Sequence, residues 1–154
     1  MPKITPFLWF NNQAEEATNF YVSIFKNSKV ARVTRNGPGP KDSVMSTTFQ
    51  LDAQEFYALN GGPMFTFTPA ISFYIHCETQ EEIDEFWEKL SNGGTPERCG
   101  WLKDKFGVSW QVVPSILGKL LQNPDPEKSK RVMAAMLQMK KLDIKGLQQA
   151  AEGA

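Results

Sequence analysis

The stretches Phe7–Ile24 (FLWFNNQAEEATNFYVSI) and Phe73–Leu90 (FYIHCETQEEIDEFWEKL) superimpose without a gap at a constant offset of 66. Phe7 falls on Phe73, Glu15-Glu16 on Glu81-Glu82, Phe20-Tyr21 on Phe86-Trp87, and Ile24 on Leu90. Each copy reads as an apolar strand, a polar break and an amphipathic helix. Ala14, Ala17, Tyr21, Ile24 and Phe25 form the apolar stripe of the first helix, and Ile83, Phe86, Trp87 and Leu90 that of the second. Two copies of one strand–helix unit imply a pseudo-symmetric α+β domain with a ligand groove between the copies.

The flanking sequence completes each unit. Asn12 with Glu15, and Thr79 with Glu82, have capping-box spacing. Lys29–Arg35, Ser43–Leu51 and Glu55–Asn60 read as strands after the first helix. Arg98–Lys103 and Val108–Val113 read as strands after the second. Gly93-Gly94 supplies the glycine favoured just past a helix end. Each half is therefore β-α-β-β(-β), with repeat one at about 3–62 and repeat two at about 70–114. Residues 115–154 differ in composition and read as a helical tail. There Asp125-Pro126-Glu127 gives an Asp N-cap with Pro at the first helical position, and Asp143 caps a last helix, Ile144–Ala151. The stripe Val132, Met133, Met136 and Leu137 is available to pack on its own domain or across a dimer.

Composition narrows the function classes. The chain has 154 residues, enough for one domain with a sizeable core. Lysine plus arginine and aspartate plus glutamate number 17 each, so there is no basic field for a nucleic-acid backbone. No apolar run approaches the ~20 residues of a membrane span. Two cysteines, Cys77 and Cys99, form no disulfide framework, and a reducing cytoplasm is the expected location. The one histidine, His76, rules out a His-rich metal site or a His dyad within one chain.

The strings Phe7-Leu8-Trp9-Phe10, Ala14-Glu15-Glu16-Ala17, Leu59-Asn60-Gly61-Gly62-Pro63 and Cys99-Gly100-Trp101-Leu102-Lys103-Asp104, and above all Phe106-Gly107-Val108-Ser109-Trp110-Gln111-Val112-Val113-Pro114, resemble the PhnB-like family. Some descriptions of that family read 3-demethylubiquinone-9 3-methyltransferase-like. It is a branch of the vicinal oxygen chelate superfamily of glyoxalases, bleomycin-resistance proteins and dioxygenases. The resemblance covers nearly the whole chain, tail included. It implies tandem βαβββ repeats in a glyoxalase-like fold with a C-terminal helical extension, and a homodimer.

The resemblance also locates where metal-using members keep their ligands. A first-strand histidine fourteen residues before the Phe-Tyr pair becomes Pro6 in one repeat and Ser72 in the other. A last-strand glutamate four residues after a turn glycine becomes Gln111. Divalent metals in such sites need imidazole and carboxylate donors. The chain is thus expected to use no metal and no cofactor, and to bind a small organic molecule in the inter-repeat groove.

Trp9, Asn60, Ser72, His76, Trp101 and Gln111 are the candidate ligand contacts. Gln111 is either a hydrogen-bonding group for a substrate oxygen or a satisfied buried amide. His76 is either a strand-end surface residue or a lining residue on the face of Ser72 and Tyr74. Cys99, with Gln111, is the candidate for catalysis in a rival reading as a thiol-dependent enzyme, isomerase or lyase, although a lone cysteine is commonly a small buried hydrophobe. Methyl transfer is a further rival, but no glycine-rich strand–turn–helix suited to S-adenosylmethionine is present. Trp110, on the opposite face of the Gln111 strand, is assigned to the core.

Overall fold

A computed structural model describes residues 2–153 and divides the chain into two compact units that meet at Phe67 and Thr68. The first unit holds β1 (Phe7–Phe10), α1 (Ala14–Ile24), β2 (Lys29–Arg35), β3 (Val44–Leu51) and β4 (Gln54–Asn60). The second holds β5 (Ser72–Cys77), α2 (Gln80–Ser91), β6 (Thr95–Pro96), β7 (Trp101–Lys103), β8 (Ser109–Pro114), α3 (Ile116–Leu121), α4 (Pro126–Leu137) and α5 (Ile144–Glu152). The sheet orders are the same, β1-β4-β3-β2 and β5-β8-β7-β6, with the first strand of each unit parallel to its last. The fold is α+β, two βαβββ units with a helical extension. Among the described residues no helix is long and apolar enough to cross a membrane.

Each sheet buries one face under its helix. In the first unit Leu8, Phe10, Phe49, Phe56 and Ala58 meet Ala14, Ala17, Tyr21 and Ile24, all buried. The Phe49 and Phe56 rings stack at 5.2 Å, and the Thr18 and Thr47 hydroxyls satisfy each other at 2.7 Å inside this layer. In the second unit Cys77, Leu102, Trp110 and Val112 lie buried on the side of Ile83 and Leu90. Trp110 donates its indole N–H to Asp104 at 2.8 Å. The other Asp104 oxygen accepts the backbone N–H groups of Phe106 and Val108 at 2.8 and 3.0 Å.

The repeat is not of constant offset. The helices do superimpose at 66, since the N-caps are Gln13 and Thr79. The strands superimpose at 67: Leu8 and Phe10, opposite Ala58 and Asn60, correspond to Ile75 and Cys77, opposite Val112 and Pro114. The link from strand to helix is one residue shorter in the second unit. Phe73 therefore packs beside Trp110 on the helix side, whereas Phe7 is exposed on the open side. One residue reverses a strand's faces.

Three caps bear on the sequence reading. Thr79 and Glu82 form the expected capping box. At α1 the Asn12 box is not made. The N-cap position is Gln13 without a side-chain bond, and Asn60 Oδ1 accepts Ala14 N–H at 2.8 Å instead. At α5 Asp143 occupies the N-cap position without a side-chain bond, and Gln80 Oε1 accepts Ile144 N–H at 2.8 Å.

The tail packs in cis on the second unit. Val113, Leu117, Val132, Leu142, Leu147 and Ala151 form one buried cluster, with Met136 against it. Met133 and Leu137, on the expected stripe, are exposed. Gln80 also donates to Leu142 O at 3.1 Å, and Lys141 pairs with Asp84 at 2.9 Å. The hydrogen bond from Lys141, then that from Gln80, holds the Asp84 carboxyl below its usual pKa.

Asp104→Ala would leave three N–H donors without their acceptor, at ~1–3 kcal/mol for each buried one. Urea unfolding is expected to show a loss of about 3 kcal/mol or more. A loss below about 1 kcal/mol would show that this carboxylate does not anchor the sheet.

Candidate functional site

The open face of the second sheet is set by strand alternation. Leu102, Trp110 and Val112 turn to the helix side, so their neighbours turn away from it. Register places Ser72 opposite Ser109, Tyr74 opposite Gln111 and His76 opposite Val113. Across the other edge of β8, Trp101 lies opposite Gln111, and Lys103 opposite Ser109. The structure thus brings Ser72, His76, Trp101 and Gln111 to one face, together with Tyr74, Lys103 and Ser109.

Gln111 Nε2 donates to Ser72 Oγ at 3.0 Å. The Gln111 carbonyl oxygen has no hydrogen-bond partner among the described residues. Ser109 is 1 % exposed, and its hydroxyl has no partner among them either. The His76 and Tyr74 rings lie 4.8 Å apart, both exposed. Burial of part of the Tyr74 side chain raises its phenol pKa, so it remains a neutral donor at physiological pH. Val113, next in the alternation after Gln111, is buried in the tail cluster, so the tail covers that end of the face.

Cys99 does not lie on a strand. Arg98, Cys99 and Gly100 form a turn, and β7 begins only at Trp101. Cys99 has φ 61°, a left-handed conformation that side chains other than Asn or Asp rarely adopt. Its N–H donates to Met139 O at 2.9 Å, and Gly100 N–H to Lys140 O at 2.8 Å. The tail thereby fixes the turn that delivers Trp101. Gly100 has φ 82°, and a Cβ there would meet Val112 O at 2.8 Å, so only glycine fits. Cys77 is buried, and its thiol is pushed up to about 12, first by burial and then by the nearby Glu82 carboxylate.

In the first unit Trp9 and Asn60 take opposite faces. Trp9 is on the open side, where its indole donates to Gly62 O at 2.9 Å and meets Phe65 edge-on at 4.9 Å. A Cβ at Gly61 would stand 2.4 Å from the indole, so glycine is needed where the loop passes the ring. Asn60 is on the helix side. Its oxygen caps α1 and its nitrogen donates to Val44 O at 3.0 Å, so the amide is occupied structurally. Pro6, reached by the same count as Ser72, gives its carbonyl to Tyr57 N–H at 2.9 Å.

Sequence reasoning missed a cavity of about 310 Å3 on the open face of the first sheet, lined by Ala31, Arg32, Thr48, Glu55 and Tyr57. Tyr57 opposes Phe7 as Gln111 opposes Tyr74, and Thr48 opposes Tyr57 as Trp101 opposes Gln111. Transferring the repeat through strand pairing would have found them. The side chains themselves share no pattern with their counterparts.

No group of three or more His, Cys, Asp or Glu side chains among the described residues is placed to hold a metal ion. At the places that the resemblance assigns to metal ligands stand Ser72 and Gln111, neutral side chains instead of the imidazole and carboxylate donors of such a site.

Comparison with known proteins agrees on the fold. A family model described as 3-demethylubiquinone-9 3-methyltransferase matches residues 2–113. A PhnB protein from Bacillus cereus is 44 % identical with a TM-score of 0.66, over 74 % of this chain and 100 % of that one. A protein from Pseudomonas aeruginosa is 20 % identical with a TM-score of 0.63, over 74 % and 98 %. The fosfomycin resistance protein FosX from Listeria monocytogenes is 15 % identical with a TM-score of 0.55, over 77 % and 97 %, and shares the fold. A search of curated proteins gave no match. The family match stops at Val113, so the resemblance expected over nearly the whole chain is found for residues 2–113 and does not include the tail.

In native protein at mildly alkaline pH, Ellman's reagent is expected to titrate Cys99 alone, Cys77 appearing only on unfolding. The sign follows from the raised Cys77 pKa. The thiol is neutral in both states below its ordinary value of 9.0, and stability falls as pH rises from there toward about 12. Rapid reaction of Cys77 in the folded chain would contradict this burial.

Proposed function

Because the chain belongs to the 3-demethylubiquinone-9 3-methyltransferase family, in the PhnB-like branch of the vicinal oxygen chelate superfamily, we propose that it binds a small organic molecule on the open face of its second sheet without a divalent metal. The observation that carries this reading is the hydroxyl of Ser109, buried and unpartnered beside the Ser72–Gln111 pair. A buried hydroxyl without a partner costs about 1–3 kcal/mol, which a ligand oxygen or nitrogen would recover. Trp101 and Tyr74 supply aromatic wall around these few polar groups, the usual make-up of a small-molecule site. Gln111 fixes orientation through its unoccupied carbonyl oxygen.

The rival enzymatic reading uses Cys99 and Gln111, and what favours it is the strained backbone at Cys99. The tail contacts at the same turn give that strain a structural origin, and binding is the better supported reading. For methyl transfer, the glycine-rich stretches have other duties: Gly61 clears Trp9, and Gly93, at φ 78°, follows the end of α2. A homodimer belongs to the proposal as well. Ile4, Phe7, Met64 and Phe65 are more than half exposed, an apolar set that a second copy would cover.

Native mass spectrometry of the purified full chain tests both parts. The expected spectrum is a dimer carrying a small organic adduct. Trp101→Ala combined with Gln111→Ala should lose the adduct while keeping the melting temperature. A bare monomer, an adduct indifferent to both substitutions, or a stoichiometric divalent metal would refute the proposal.

A further inference from the structure

Lys103, Ser109 and Ser72 form a row across three adjacent strands. Lys103 opposes Ser109 in the β7–β8 register, and Ser109 opposes Ser72 in the β5–β8 register. The burial of Leu102 and Trp110 on the helix side fixes all three on the open face. Neighbouring strands stand ~4.8 Å apart, so side chains in such a row can converge on one group.

Each member has a donor to give. The Lys103 side chain is half-buried and has no carboxylate within ion-pair distance among the described residues. Asp104, next in sequence, faces the other way and binds Trp110. Glu97, whose N–H donates to Trp101 O at 2.9 Å, lies at the other end of β7 and makes no ion pair. The Ser109 hydroxyl is buried and unpartnered. Ser72 Oγ accepts from Gln111, which leaves its own O–H to donate elsewhere.

We infer that this row receives an anionic oxygen group, a single carboxylate or its equivalent, carried by the molecule that lies against Trp101. An unneutralised ammonium beside two hydroxyl donors is complementary to an oxyanion, and hydrogen bonds to ionised groups are roughly twice as strong as neutral ones. Gln111, one step along β8, then meets a neutral part of the same molecule. The inference rests on the ligand face proposed above and adds the charge of its ligand.

The test uses isotopically labelled full chain titrated with benzoate and with its neutral isostere benzamide, read by backbone amide NMR shifts. Benzoate should move the amides of residues 72, 103 and 109 and bind about tenfold more tightly than benzamide. Lys103→Gln should remove that preference. Equal affinity of the two probes, or benzoate binding untouched by Lys103→Gln, overturns the inference while leaving the ligand face in place. If neither probe moves any amide of that face, the face itself is wrongly assigned, and the inference falls with it.

Discussion

Trp110 enters the helix side of the second sheet and gives its indole N–H to the buried carboxylate of Asp104. The same carboxylate closes the turn before β8 by accepting two backbone N–H groups. A β-strand has two faces, so seating Trp110 inward commits Ser109 and Gln111 outward. Register with β5 and β7 then aligns Ser72, Trp101 and Lys103 beside them. The proposed ligand face is the reverse side of a packing interaction, and its side chains are set by Trp110, which lies on the other face of the sheet.

The helical tail constrains the same face from one end. It buries Val113, and its carbonyls at Met139 and Lys140 tie down the turn of Cys99 and Gly100. Trp101 follows that turn directly. Residues beyond Val113 lie outside the family match, so this support is carried by a segment the family model does not describe. The left-handed backbone at Cys99 is the local cost, set against two backbone hydrogen bonds and the close approach of Gly100 to Val112.

Local signals were legible in the sequence, and remote ones were not. The buried faces of α1 and α2, the Thr79–Glu82 box, the Asp125 cap and the placing of Trp110 opposite Gln111 follow from periodicity and short-range chemistry, and the structure has them, whereas Met133 and Leu137 of the tail stripe are exposed. Two helix starts are instead capped by amides far away in sequence, Asn60 for α1 and Gln80 for α5. Neither is visible to a reading of neighbouring residues, and Asn60 looked like a ligand contact for that reason. The one-residue change in strand-to-helix link length was hidden because aromatic and apolar residues occupy both faces of β1 and β5. The Cys99 turn read as strand because its conformation is imposed by the tail. Ser109 and Lys103 went unnoticed because an unpartnered hydroxyl or ammonium is defined by what does not surround it.

The central claim is that Ser109 and Gln111 keep hydrogen-bonding capacity for something other than this protein. A high-resolution crystal structure of the full chain as purified tests it most directly. The account predicts electron density for a non-protein molecule against Trp101, with a polar atom within hydrogen-bond distance of Ser109 Oγ or Gln111 Oε1. Both groups bonded instead to protein atoms, with Trp101 packed against its own chain, would contradict it.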